Sequence, residues 1–539
     1  MTDQHPAIRM LERAYTEGRV SRRDFVRGMS VAVGLLALEG STGGGVLAAA
    51  ERRAEQLDMV ASPTRGGTLK VAVTGQPDQL DPGTDNTYAS FQILANIFDT
   101  LIQMDASGHF KPNLATKWRQ LDPKTWEFDL VHNASFHNGQ PFTAHDVAYT
   151  VNRILKPSTA SPELTSFSAI KQVQVVNKYT VRFHLKYPYG PFLTNFANGA
   201  YIVNQKAVTS LDPRRHPVGT GPFKFKEWVT NDHLTVVRNP HYWEKGKPYL
   251  DSVIFRGSPV DATRMAALKA GEFNWVDAVP LNTISSMRHS KNPILLSGTN
   301  GGNPDFLGLV VERPPLNNKK LRQAIAWTVD KRAILDVAYF GDGQVGSQEV
   351  GAGTRFYTSN DPYRKGPDLN KAQALLKAAG ISKLTLEYLG LPQYPELLKT
   401  GEIVREQLAQ VGITMNITQL EVTVWIQRLI KRQYQLTSIY AAGTVDPDTF
   451  YSSELTSTGA DNFTGYKNPK VDSLVTQARE TSSVAKRRAL YGKVRQMVWD
   501  DCPYIFMHYE VLNYAFNPKV HGSVILPTFQ LFFKNVWIG

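Results

Sequence analysis

Residues 370–420 read NKAQALLKAAGISKLTLEYLGLPQYPELLKTGEIVREQLAQVGITMNITQL. Asn370 stands where an N-cap belongs, which predicts a helix from Lys371 to Ala379 stopped by Gly380. Leu384, Leu386 and Tyr388 alternate as in a strand. Leu397, Ile403, Val404, Leu408 and Val411 line one face of a second helix, which Gly412 ends. A second strand follows from Ile413 to Leu420. Two strands joined by a long helical crossover pair in parallel, so this stretch is α/β.

The same kinds of signal extend along the chain. Gly66 to Val73 alternates into a strand, and Phe91, Leu94, Ile97, Phe98 and Leu101 give one helix face between Asp85 and Leu101. Trp126, Phe128 and Leu130 alternate, His137-Asn138-Gly139 is a turn, and Thr143 can cap a helix beginning near Ala144. Val181 to Leu185 alternates again. No internal repeat is visible.

The N-terminus reads as an export signal. Ser21-Arg22-Arg23-Asp24-Phe25-Val26-Arg27 precedes an apolar core, Val31 to Leu38. That core is too short to span a bilayer, which takes roughly 20 residues. Ala48-Ala49-Ala50 supplies a small-residue exit, so cleavage before Glu51 is expected. The paired arginines, with Phe25 two positions on, resemble the twin-arginine motif, whose route carries folded proteins. Glu51 to Arg65 is polar and contains Pro63, as in a tether. Cys502 is the only cysteine, so no intrachain disulfide can form and no lipid-bearing cysteine stands at the cleavage site. A soluble periplasmic protein without a lipid anchor is expected.

The chain has 539 residues and a net charge of +12. Removal of the leader leaves about 489 residues (539 minus 50), enough for two or three domains. The basic residues are scattered, as at Lys319-Lys320, with no long run and no nucleic-acid-binding motif, so nucleic acid is not expected as a partner. His132, His137 and His145 have spacings that fit no common zinc pattern. No G-x-S-x-G, H-E-x-x-H or P-loop is present, and Cys502 adjoins an apolar run that suits a buried residue better than a nucleophile. No catalytic residue, metal or cofactor is expected.

Several segments together resemble the family 5 solute-binding proteins, the oligopeptide, dipeptide and nickel class. Lys124 to Leu130 followed by Ala134 to Val147 looks like that family's signature block. Gly219-Thr220-Gly221-Pro222-Phe223, Asn239-Pro240-His241-Tyr242-Trp243, Arg322-Gln323-Ala324-Ile325 and Asp330-Lys331 are similar to further family segments in the same order. The resemblance implies a periplasmic-binding-protein-like α/β fold of two lobes joined by a hinge. Lobe I would span 66–301, with an extra subdomain at about 108–212, and lobe II 302–502. Residues 503–539 would return to lobe I, so the hinge crossings fall near 302 and 502. It further implies a monomeric, non-enzymatic receptor for a peptide-sized or smaller polar solute. Such a receptor docks only transiently at the membrane surface, on an ABC permease whose partner hydrolyses ATP. An exported enzyme, or a chaperone or sensor on the same scaffold, is the alternative.

The resemblance also nominates cleft residues. Ile439 to Phe450 is similar to a family cleft segment in which the first of two Asp residues holds a peptide's α-ammonium. Anchored on Asp446-Pro447, that position is Gly443 here, beside Thr444, and Asp446 matches the second Asp. A buried ammonium needs a partner. The missing carboxylate therefore predicts a ligand with no free α-ammonium, such as a sugar, an opine-like conjugate or a blocked peptide, or one held differently. Thr87, Tyr88 and Ser90 would face the cleft from the loop before the first helix. Trp425 and Tyr440 are candidates for contact with the ligand, Tyr440 by stacking on a ring, and Arg355 for pairing with a ligand carboxylate.

Overall fold

Two long antiparallel strands, Ile294–Leu309 and Tyr504–Phe516, run side by side through the middle of a single sheet. The computed structural model describes residues 63–539 except 86, 106–107, 289, 352–353, 442–445 and 524–529, with backbone alone at 296–303. The export signal and most of the tether lie outside the described residues. Gly66–Ile538 forms one compact unit.

The pairing of the two long strands breaks register between Thr299 and Pro304. On one side of the break, residues 294–299 pair with 511–516, and Ala515 and Phe516 also pair with Trp275–Val276. From there the sheet continues through Thr68–Val73, Ser252–Gly257, His233–Arg238 and Phe223–Val229. On the other side, 304–308 pair with 504–509, and Asp305 to Leu309 pair with Leu436–Tyr440. Leu384–Gly390 and then Ile413–Gln419 complete that half. One pair of strands thus serves two half-sheets, and a broken register is a natural place for them to bend.

The α/β reading of 370–420 holds. Leu384–Gly390 and Ile413–Gln419 pair in parallel, joined by the helix Pro395–Ala409. One detail needs correction. The preceding helix is Leu369–Ala378, and its N-cap is Asp368, whose carboxylate accepts the Lys371 N–H at 2.9 Å. Asn370 lies inside the first turn, because the residue just outside the helix is the one whose side chain can reach the free N–H groups. Gly380 and Gly412 follow their helices with φ of +70° and +82°, a conformation that costs glycine little.

Separate cores flank the central strands. Val71, Leu94, Phe98 and Phe255 pack with Leu512, Tyr514 and Phe533 in the first lobe. Leu307, Ile325, Leu386, Val404 and Leu408 pack with Ile505 and Met507 in the second. Each such side chain contributes about 1.5–3 kcal/mol by leaving water. The strand Tyr504–Phe516 is therefore shared. Its first half, with Ile505 and Met507, packs in the second core, and its second half, with Leu512 and Tyr514, in the first. A third core holds the antiparallel sheet of Ala115–Asp122, Thr125–Leu130, Thr180–Leu185 and Ile170–Asn177, with Phe128, Phe183 and Val147 at its centre. The helix Ala144–Leu155 against it starts as Thr143 predicts, with the Asp146 carboxylate accepting the Thr143 N–H at 2.9 Å. No helix among the described residues is long and apolar enough to cross a membrane.

Candidate ligand-binding cleft

The lobes face each other across the register break, and they touch at the rim. Gly190, in the subdomain of the first lobe, donates its N–H to the Arg479 carbonyl at 2.7 Å. Ser482 donates to the Gln120 side chain at 2.9 Å. The Arg355 guanidinium lies 5.3 Å from the centre of the Phe110 ring and 5.2 Å from that of Phe356, bridging the lobes by cation–π contact. Burial lowers its pKa, and Asp446 partly offsets this.

Tyr88 and Ser90 fall in the first turn of the helix Tyr88–Ile97 rather than in the loop before it. The Thr87 N–H donates to Asp85 at 2.8 Å and its hydroxyl to Ser90 at 3.0 Å, while the buried Ser90 hydroxyl donates to Asp85. These groups are occupied in closing the helix start. Tyr88 keeps part of its surface open. Burial raises its phenol well above the ordinary pKa, and the charges of Asp277 and Glu510 raise it further.

Trp425 is buried among Leu389, Leu429 and Ile439, and its Nε1–H donates to Thr437 at 3.1 Å. Its indole is held inside the second lobe. Tyr440, at the end of Leu436–Tyr440, donates its hydroxyl to Glu396 at 3.0 Å. Gly443 and Thr444 lie outside the described residues. Of the residues flanking them, Ala441 donates its N–H to the Pro304 carbonyl, while Asp446 caps the helix Pro447–Phe450.

Asp446 is engaged elsewhere. Its two oxygens accept both terminal nitrogens of Arg487, at 2.5 and 2.7 Å, and both side chains are about 1 % exposed. Burial alone would raise this carboxyl, but Arg487 holds it below the usual range. Asp448 faces Arg479 at 3.1–3.2 Å. Glu349 holds Arg495 and accepts the Tyr451 hydroxyl. These pairs consume the acids nearest the cleft segment, so Asp446 and Asp448 leave no carboxylate for a solute.

Two other acids, Asp277 and Asp305, are buried at positions the sequence did not single out. Asp277 follows Trp275–Val276 and accepts the Thr74 N–H at 3.2 Å. Burial pushes its carboxyl up to about 7. Asp305, on the hinge strand, accepts the Tyr339 hydroxyl, and burial, with Glu396 adding, also raises it to about 7. The His508 ring stacks on Tyr339 with centres 3.8 Å apart. Its Nε2 faces the Asp342 carbonyl at 2.9 Å, and burial lowers its pKa to about 4. The Asp342 carboxylate is taken by Arg288 and Asn513. The Tyr440 phenol is raised by burial and then by Glu396, Asp305 and Glu510. One signal was available in part: His508 and Glu510 interrupt the mostly apolar and aromatic strand Tyr504–Phe516.

Of the histidines weighed as metal ligands, His145 is exposed and the other two make structural contacts. His137 receives the Gly219 N–H on Nδ1 at 3.3 Å and faces the Gly221 carbonyl through Nε2 at 3.0 Å, tying its turn to the Gly219–Phe223 segment. His132 stacks on Tyr179. Cys502 is buried, and burial pushes its thiol up to about 12.

Comparison with known proteins agrees with this architecture. The profile of the bacterial extracellular solute-binding proteins, family 5 Middle, matches residues 109–462. Glutathione-binding protein GsiB of Pectobacterium atrosepticum is 25% identical over 504 residues, covering 88% of this chain and 95% of that one. DppA of Helicobacter pylori, an ABC transporter-associated periplasmic binding protein solved with the peptide STSA, superposes with a TM-score of 0.72 at 26% identity, over 88% of this chain and 98% of that one. AgaA from A. tumefacien R10, solved with agropinic acid, gives 0.74 at 26% identity, over 88% and 99%. The fold is the two-lobed one of these binding proteins.

Proposed function

Because the chain belongs to family 5 of the bacterial extracellular solute-binding proteins, we propose that it is the receptor of an ABC importer, capturing a polar solute of peptide size or smaller between its lobes and delivering it to the membrane permease. The observation that carries this reading is the pair of shared strands, Ile294–Leu309 and Tyr504–Phe516, with its register break between Thr299 and Pro304. Two bodies joined by two bent strands can open and close as a hinge, and closure creates a surface that exists only in the loaded state. Lobe I then comprises residues 66 to about 301 and the C-terminal return from about 510, with its subdomain at about 108–212. Lobe II lies between.

Relatives that bind glutathione, a peptide and agropinic acid support a small polar solute without choosing among them. Twin-arginine export of the folded chain to the periplasm is supported by Arg22-Arg23, Phe25 and the alanine exit. No cofactor enters this reading. Native mass spectrometry of protein purified from its own periplasm tests it. One solute bound at one per chain is expected, with release on unfolding. A chain that carries nothing, and that no extract of small solutes stabilises against heat, overturns it.

A further inference from the structure

The helix Val422–Ile430 is more apolar than its packing against the second lobe uses. Trp425 and Leu429 turn inward and are 7% and 4% exposed. The next row, Val422, Ile426 and Ile430, steps by four residues along the adjoining flank. Val422 is partly covered by the lobe, whereas Ile426 is 43% exposed and Ile430 61%. Val424 adds a third open aliphatic at 45%. Among the described residues no other helix exposes more than one large apolar side chain. Single exposed apolar residues are ordinary on a protein surface, but a row of them marks a contact.

The charge beside this row has one sign. Residues 422–432 read VTVWIQRLIKR, with three basic residues and no acid. Arg428 pairs with Glu387 at 2.9 Å and Arg432 with Glu312 at 3.1 Å. Lys431 is exposed, as is Arg313 next to Glu312, and among the described residues no ion pair reaches either. Four cations thus meet two carboxylates at this end of the helix, which leaves two positive charges uncompensated.

The helix dipole accounts for cations near a C-terminus, but not for the isoleucines next to them. A protein partner is usually met by aromatic anchors in a charge-poor centre. Aliphatic side chains bordered by lysine and arginine on one helix are instead the pattern of a helix lying in a lipid interface.

We propose that the helix Val422–Ile430 is a peripheral membrane contact, setting Ile426 and Ile430 into the headgroup layer of an anionic lipid surface while Lys431 and Arg313 pair with its phosphates. The contact is separate from solute capture and from recognition of a permease. With two isoleucines and two free cations it is weak and reversible, since each basic residue at an anionic surface adds roughly fivefold. It keeps an exported receptor close to the bilayer between encounters with its partner.

The test is flotation of the mature protein with vesicles rich in phosphatidylglycerol and with vesicles of phosphatidylcholine alone. Binding to the anionic vesicles is expected, about tenfold weaker on phosphatidylcholine and falling with salt. Ile426→Ser combined with Ile430→Ser, and separately Lys431→Glu, should each weaken it about tenfold. All three side chains are exposed, so the melting temperature and the affinity for the co-purifying solute should stay the same. Gln427→Lys, which adds a cation on the exposed side, should strengthen binding severalfold, so the proposal stays open to refutation even where the isoleucine variant folds poorly. Absence of binding to the anionic vesicles, or binding that none of these substitutions alters, overturns the proposal and leaves the receptor reading standing. Loss of permease stimulation in the isoleucine variant, without vesicle binding by the natural chain, assigns the row to a protein partner and overturns it likewise.

Discussion

Gly190 donates its backbone N–H to the carbonyl of Arg479 at 2.7 Å, joining the first lobe's subdomain to the second lobe. A Cβ at Gly190 would stand 2.5 Å from the Thr481 carbonyl oxygen and 2.7 Å from Arg487 Nε. Neither neighbour can yield cheaply, because one is backbone and the other belongs to the buried pair with Asp446. Gly190→Val should therefore hold the rim apart. Small-angle scattering should show no contraction on adding solute, and affinity should fall about tenfold, since closure contributes part of the binding free energy. The melting temperature of the empty protein should hardly change. Normal contraction with unchanged affinity would show that the rim contact plays no part in closure.

Arg487 and Asp446 illustrate how a buried charge depends on its partner. Arg487→Met leaves Asp446 buried and uncompensated, which should cost about 3–5 kcal/mol in chemical denaturation. Adding Asp446→Leu should recover much of that loss, because an apolar pair needs no counter-charge. A double variant no more stable than Arg487→Met alone would assign the cost to packing around Tyr491 and Phe356 instead.

The response to pH separates two buried carboxyls, Asp277 and Asp305, from the buried histidines. Asp277 and Asp305 ionise near 3.8 when unfolded but at about 7 when folded. The folded state thus keeps protons that the unfolded state has lost, and stability falls as pH rises through that window. Asp305 faces Tyr339 and Glu396, while Asp277 faces the Thr74 N–H, with Arg264, Tyr88 and Tyr514 around it. His137 and His508 act oppositely. Their pKa drops from 6.5 to about 4, so stability falls as pH drops below 6.5. Above 6.5 only the two carboxyls remain active among these four groups. Asp305→Asn should therefore make the fall in melting temperature between pH 6 and 8 shallower. An unchanged fall would mean that Asp305 is ionised throughout.

Export can be tested without the fold. Arg22→Lys combined with Arg23→Lys should leave the precursor uncleaved in the cytoplasm, as followed by pulse-chase labelling. Undiminished maturation of this variant would assign export to the general secretory route.

Much of the architecture could be read from short-range pattern. The parallel pair around Pro395–Ala409, the Thr143 cap and the glycine stops are local effects, decided by residues a turn apart. Asp368 displaced Asn370 as a cap because two acceptable capping residues lay two positions apart, and only the backbone path chose between them. The buried polar neighbours were hidden for a different reason. Asp305 and His508 are far apart in sequence, and only the pairing of the two long strands brings them side by side. The pairing of Asp446 with Arg487 likewise spans 41 residues, and no periodicity announces it. Trp425 and Tyr440 were picked out as aromatics, but their bonds to Thr437 and Glu396 follow from tertiary placement.

Cys502 ends the helix Val484–Asp501 in a left-handed conformation, with its sulfur enclosed by Tyr363 and Trp499. A thiol so deeply enclosed and so weakly acidic reacts slowly with maleimides in the native state. The natural sequence is thus a ready background for site-directed labelling. A single dye attached through Gln120→Cys, opposite Ser482 at the rim, would report solute capture as a change in fluorescence, turning the receptor into a sensor with no native cysteine to remove.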